Sequence, residues 1–257
     1  MLNRIIACVR EAGKIMLDAR DIAQSTQNKQ GIGNFVTDYD IAVQNALGDS
    51  LRRILPASRI IGEEDDGHSG DLSGDCFIID PIDGTANFIR GYQHSAISVA
   101  LLKDGRPQAG VVYNPYLNEL FSAELGKGAF CNGRPISVSE RTMPEAIFLF
   151  GASSYSRETT DKNFRIVRAL FDNTADCRSS GSAALDICYV AAGRCELFFE
   201  MTLSPWDYAA GGLILSEAGG IATDMLGKPL SYTHECSVLA SSLSLHEQAV
   251  GIVKQAL

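Results

Sequence analysis

The stretch that most restricts this chain is the apolar run Cys76-Phe77-Ile78-Ile79, which passes without a polar spacer into Asp80-Pro81-Ile82-Asp83-Gly84-Thr85. Consecutive apolar residues bounded by turn residues read as a short buried strand, ending at Asp80-Pro81. A carboxylate at such a junction is costly unless it is paired, because it gives up its hydration. Two more acidic groups repeat the arrangement. Glu63-Glu64-Asp65 follows Ile60-Ile61-Gly62, and Trp206-Asp207 precedes a helix predicted to start near Tyr208. Lys29 and Arg90 are the nearest cations in sequence. Hard divalent cations answer the charge problem, since oxygen-rich sites suit magnesium. Across a proline-fixed turn, Asp80 and Asp83 can share ions, and the Ile82 carbonyl between them can face the same metal.

The residues that follow add a second kind of chemistry. Gly84 lets backbone approach a ligand closely. A helix starting at Thr85 would aim amide N–H groups at an anion. Thr85 brings a hydroxyl that can orient water. Acid ligands, amide donors and a hydroxyl in one segment are the parts of metal-assisted phosphate hydrolysis. Taken singly they are ordinary: Asp83-Gly84 is a common turn, Glu63 to Asp66 a solvated loop, Asp207 a helix cap and Trp206 a packing residue.

The rest of the pattern mixes helix and strand. Residues 2–20 and 40–55 carry apolar positions at helical spacing, with a break at Gly31-Ile32-Gly33-Asn34 and a stop at Pro56. Residues 64–75 read as a mobile loop. Strands are predicted at 95–103 and 108–113 around the Asp104-Gly105 turn, and at 119–123 and 128–131 before Asn132-Gly133. The change of pattern near 140–145 places a boundary between an N-terminal α+β subdomain (1–143), carrying most of the acidic groups, and a C-terminal α/β subdomain (144–257) carrying Asp207. In the second half, 148–152 and 195–199 read as strands, and 160–171, 182–191 and 208–218 as helices. Ser182 is a predicted N-cap, and Gly219-Gly220 closes the last of these helices.

Composition narrows the functional classes. A net charge of −9 with no Lys/Arg cluster argues against nucleic-acid binding. Seven cysteines, an odd number with no CxxC pair, argue against a disulfide framework and structural zinc, and suit a reducing cytoplasm. No signal-peptide core and no apolar run of about 18 residues is present, so the expectation is a soluble cytoplasmic protein that does not meet a membrane. His68, His94, His234 and His246 fit no metal-ligand spacing. No GxSxG, Walker A or GxGxxG stretch occurs.

Gly62-Glu63-Glu64, the run from Asp80 to Phe88, and Trp206-Asp207 with Ala210-Gly211 and Glu217-Ala218-Gly219-Gly220 together resemble the inositol monophosphatase family, over nearly the whole chain. The resemblance implies an α+β fold, the layered αβαβα sandwich of sugar phosphatases, usually as a homodimer. It implies Mg2+-dependent, lithium-sensitive hydrolysis of a small phosphorylated metabolite, inositol monophosphate first among them. Two or three Mg2+ ions would be held by Glu63, Asp80, the Ile82 carbonyl, Asp83 and Asp207. Thr85, paired with Asp40, would orient the attacking water, with Glu63 as a further catalytic group. The Gly84 and Thr85 amides would hold phosphate. Gly181, Ser182, Ala183, Glu200 and Asp207 would bind the substrate. Lys29 matches a lysine near the metal loop. The family often has Thr where this chain has Ala86 and Ser182, and the loop after Glu64 is shorter and more acidic than in many members.

Within that superfamily a 3′(2′),5′-bisphosphate nucleotidase, a fructose-1,6-bisphosphatase and a histidinol-phosphatase are the rival activities. A second phosphate calls for a basic cluster, and Arg157, Arg165, Arg168 and Arg178 are scattered candidates. A non-catalytic metal-binding regulatory protein is the rival outside catalysis, although such a chain would be expected to have lost Thr85 or a carboxylate.

Overall fold

Hydrophobic patterning and capping set the elements of the computed structural model, which describes residues 1–29, 34–65, 70–153 and 157–257. Helix α1 (Leu2–Asp18) leads through a short antiparallel pair, β1 (Thr26–Asn28) and β2 (Phe35–Thr37), into α2 (Asp38–Ile54). A seven-stranded sheet follows. Its strands are β3 (Arg59–Gly62), β4 (Asp75–Asp83), β5 (Ala96–Lys103), β6 (Arg106–Asn114), β7 (Glu119–Glu124), β8 (Ala129–Cys131) and β9 (Arg134–Ile136), in that spatial order, with the short helix α3 (Thr85–Arg90) between β4 and β5. The second half holds β10 (Ile147–Phe150), α4 (Thr160–Phe171), β11 (Asp176–Arg178), α5 (Ala183–Ala191), β12 (Leu197–Leu203), α6 (Pro205–Glu217), β13 (Gly220–Thr223), β14 (Cys236–Ser242) and α7 (Leu243–Ala256). Its five strands run in the order β11-β10-β12-β14-β13.

The layers alternate helix, sheet, helix, sheet, helix. On the outer face of the large sheet, Val9, Met16, Val43 and Leu47 of α1 and α2 pack on Phe77, Ile79, Val99 and Val111. Between the sheets, Ala184, Ile187, Tyr208 and Ile214 of α5 and α6 pack on Cys76, Ile78 and Val112 from one side and Phe198 and Ala240 from the other. On the far face, Ile166 and Leu170 of α4 and Ala249 and Val253 of α7 cover Phe148, Leu197, Phe199 and Leu239. Strand β4 thus feeds alternate residues into two cores, which is why its sequence is continuously apolar.

Several boundaries differ from the sequence reading by a few residues, and three of them bear on the acidic groups. Strand β4 does not stop at Asp80-Pro81 but runs to Asp83. Its register on β5 shifts between the Asp80–Ser98 and Asp83–Ala96 pairs, so the missing N–H of Pro81 falls where the ladder is irregular. Helix α2 starts two residues before position 40, at Asp38, because Thr37 and Asp40 form a capping box. Helix α6 starts at Pro205 rather than near Tyr208: Ser204 and Asp207 form another capping box with the proline in the first turn. The predicted break at Gly31-Ile32-Gly33 and His68 lie outside the described residues, as does part of the 64–75 loop. None of the described helices is long and apolar enough to cross a membrane.

Candidate active site

The irregularity at the end of β4 puts Asp80 and Asp83 on the same side of the strand end, facing the start of α6. Carboxylate oxygens of Asp80, Asp83 and Asp207 all lie within 4.8 Å of one another. Strand β3, parallel to β4, delivers the next acid: the Glu63 amide continues the ladder to the Ile79 carbonyl at 3.1 Å. Gln44 of α2 fixes that turn, accepting from Glu64 N–H at 3.0 Å and donating to Asp65 at 2.9 Å. Gly62 leaves room for that amide: a Cβ there would lie 2.2 Å from Gln44 Oε1 and would push the Gln44 side chain aside.

Each carboxylate is held by a distinct device. Asp80 Oδ1 accepts from Ile82 N–H at 3.0 Å. Asp83 Oδ2 accepts from the Ser182 hydroxyl and from Ala184 N–H at 2.9 Å, at the start of α5. Asp207 Oδ2 accepts from Ser204 N–H at 2.7 Å. Lys29 reaches Glu63 at 3.0 Å and Glu64 at 2.6 Å. Arg90, the other cation near in sequence, sits in the last turn of α3 beside a separate hollow lined by residues 19–24.

Crowding shows in the proton affinities. Burial, then the charges of Glu63, Asp83 and Asp207, push Asp80 far above the usual carboxyl range. Burial and the charges of Asp83 and Glu63 do the same to Asp207. Burial takes Asp83 to about 6, against the opposing pull of Ser182 and Ala184. Burial raises Glu63 too, with Lys29 opposing it. One lysine cannot balance this group. An all-oxygen set of acids sharing one small volume fits hard divalent cations in donor type and in charge.

Beside the acids, the Thr85 hydroxyl lies 3.2 Å from Asp40 Oδ1 and 3.1 Å from the Ile82 carbonyl. Asp40 is fully buried, and its other oxygen accepts from Thr37 N–H at 2.8 Å and the Thr37 hydroxyl at 2.5 Å. Burial raises its pKa to about 6. One aspartate therefore both caps α2 and aims Thr85. Gly84 has φ +86°, and a Cβ there would sit 2.9 Å from the Gly181 carbonyl, so two loops close on each other at glycines. Asn87 ties them, donating at 2.8 Å to both the His94 and Ser180 carbonyls. These groups open onto a cleft of about 320 Å³, whose lining also includes Ala183, Asp186 and Glu200.

A sequence model of the inositol monophosphatase family matches residues 1–257. The chain belongs to the inositol monophosphatase family. A relative named Nus factor SuhB, from Escherichia coli K12, is 40% identical over 233 residues, 88% of this chain and 86% of that protein. The crystal structure of the extragenic suppressor protein suhB from Bartonella henselae is similar at TM-score 0.92 and 32% identity, covering 99% of this chain and 98% of that one. A Thermotoga maritima IMPase is similar at TM-score 0.86 and 34% identity, covering 98% and 95%.

Inositol monophosphatase-type layering brings together every site residue picked from the sequence except Asp40 at the rim of this one cleft. Glu63, Asp80, Ile82, Asp83, Gly84, Thr85, Gly181, Ser182, Ala183, Glu200 and Asp207 line it, and Asp40 stands behind Thr85. Sequence reasoning passed over Asn87, Ser153 and Asp186. Ser153 holds Glu200 Oε1 through its N–H at 3.0 Å and hydroxyl at 3.1 Å. Asp186 accepts from Ser180 Oγ at 2.6 Å. Asn87 lay inside the run already singled out. Asp186 and Ser153 carry no local signal, because only the fold brings them to the cleft.

Proposed function

We propose that this chain is a Mg2+-dependent phosphomonoesterase that hydrolyses a small polyol phosphate, with inositol monophosphate as the first candidate. The observation that carries the reading is the Asp40–Thr85 pair set against the Asp80–Asp83–Asp207 cluster. Glu63, Asp80, the Ile82 carbonyl, Asp83 and Asp207 would hold two or three Mg2+ ions, supplying the positive charge a phosphate dianion needs and a nucleophile at neutral pH.

The chain's own groups do the positioning. Thr85 donates its proton towards Asp40, which turns a hydroxyl lone pair to the cleft, where it can accept from a water. That water is aimed at phosphorus; its oxygen forms the new P–O bond as the ester P–O bond breaks, one of its protons ending on the departing alcohol and the other on the released phosphate. The Gly84 and Thr85 amides steady the phosphate. Ser182, through Asp83, keeps the acid side fixed, and Gly181, Ala183 and Glu200 face the leaving alcohol. No covalent phosphoenzyme is required.

A phosphate-release screen over inositol, sugar and nucleotide phosphates, with and without Mg2+, tests the reading. The expected result is release from inositol or a similar polyol monophosphate that stops in excess chelator and falls with added lithium. Metal-independent release would contradict it. The family also suggests a cytoplasmic homodimer; light scattering after size exclusion checks the dimer. The name Nus factor borne by the E. coli relative favours a second reading, in which the chain works through a partner. A protein acting only that way has no need of Thr85 aimed by a buried Asp40.

A further inference from the structure

Thr85 and Asp40 come from the first turns of two different helices, α3 and α2. Their 3.2 Å contact is at the long end for a hydrogen bond between two oxygens, so a small shift of one helix against the other breaks it. A second contact between the same two helices lies beside it. On α3, Phe88 is three residues beyond Thr85 and shares its face. On α2, Tyr39 directly precedes Asp40. The half-buried Tyr39 ring meets the buried Phe88 ring edge-on, with centroids 5.8 Å apart and planes at 77°, a favoured geometry for two aromatic rings. The two helix starts therefore touch twice, once through the hydroxyl and carboxylate and once through the rings.

Tyr39 is itself tied at both ends. Its hydroxyl accepts from Arg20 N–H at 3.0 Å and donates to the Arg20 carbonyl at 2.8 Å. The Arg20 guanidinium donates to the Leu17 and Ala19 carbonyls at 3.2 and 2.7 Å, which closes the end of α1. At its backbone end, Tyr39 N–H donates to the Thr37 hydroxyl at 3.2 Å, and that hydroxyl in turn donates to Asp40. A ring fixed in this way cannot swing off Phe88 without breaking the bonds to Arg20. We propose that Tyr39 is a positioning residue: its ring, pinned by Arg20, spaces α3 from α2 and so keeps the Thr85 hydroxyl within reach of Asp40. Tyr39 does not line the cleft, so it acts through Thr85 and not on the substrate. The proposal rests on the phosphatase reading above.

A double-mutant cycle with Thr85 tests it, read as phosphate release from inositol 1-phosphate at saturating Mg2+. Tyr39→Leu keeps apolar bulk and loses both the ring edge and the hydroxyl. It should lower kcat about 10-fold and leave KM and Mg2+ affinity within about 2-fold of the wild type. Tyr39→Phe keeps the ring but frees it from Arg20. It should lower kcat about 3-fold, and it carries the test if the leucine variant does not fold. On a Thr85→Ala background, neither substitution should lower kcat by more than about a further 2-fold, because the group they position is gone. A general loss of structure would carry over to that background undiminished. An undiminished effect there, a wild-type kcat in the folded single variants, or a loss in KM or Mg2+ affinity instead of kcat overturns this inference alone. No release by the wild type sinks the phosphatase reading, and the inference with it.

Discussion

Asp83 shows at the scale of one residue how function and stability pull apart. Its carboxylate is buried 2.9 Å from Ala184 N–H and within 4.8 Å of two other aspartates, an arrangement that destabilises the fold without a cation. Asp83→Asn removes one charge and leaves an oxygen for Ala184. The metal-free variant should melt about 2–4 °C or more above the wild type, while phosphate release falls sharply. A lower melting temperature in differential scanning calorimetry would mean that the cluster is structural. Thr85 gives a cleaner separation. Thr85→Ala should lower turnover about 100-fold, with little change in Mg2+ affinity by isothermal titration, and Thr85→Ser should keep much of the activity. Wild-type turnover in the alanine variant would assign the water to another group. The clustered acids were legible because carboxylates abutting apolar runs are rare for a physical reason. Asp186 and Ser153 were not, because a lone acid in a helix and a lone serine in a loop look ordinary until tertiary contacts place them.

Among the elements, α6 bears most on the site, because it joins both sheets and carries Asp207. It lies so close to β6 that a Cβ on Gly110 would come 2.7 Å from the Ala210 carbonyl. Gly110→Ala should therefore cost about 1–3 kcal/mol in urea unfolding and weaken activity by shifting Asp207. Unchanged stability and activity would show that the layers can part without disturbing the acids. Helical periodicity and turn residues revealed α1, α2, α4, α5 and the β5–β6 hairpin. The strands β1, β2, β3, β9, β11, β13 and β14 and the helix α7 escaped; six of these seven strands have only three or four residues, too few to show a period. The ends of β4 and α6 escaped because a register shift and a serine–aspartate capping box, each visible only with its partner, decided them.

The whole molecule links proton, metal and fold. Asp40 and Asp83 have pKa values near 6 and Glu200 near 7, all raised above their unfolded values by burial. A folded state that binds protons more tightly than the unfolded one loses stability as pH rises through those values. The stabilising contribution of these three groups is fully present below about pH 4 and is lost as pH rises through about 6 to 8. Metal-free protein should therefore melt lower at pH 8 than at pH 6, and Mg2+ should recover the part that comes from Asp83 by binding its ionised carboxylate. A pH-independent melting temperature, or one that ignores Mg2+, would contradict this linkage. The most direct measurement of the central claim is phosphate release from inositol 1-phosphate by the purified protein, titrated with Mg2+ and then with chelator. The account predicts turnover that rises with Mg2+, vanishes in chelator and returns on adding the metal back. Turnover indifferent to Mg2+, or none on any polyol phosphate at saturating Mg2+, would contradict it.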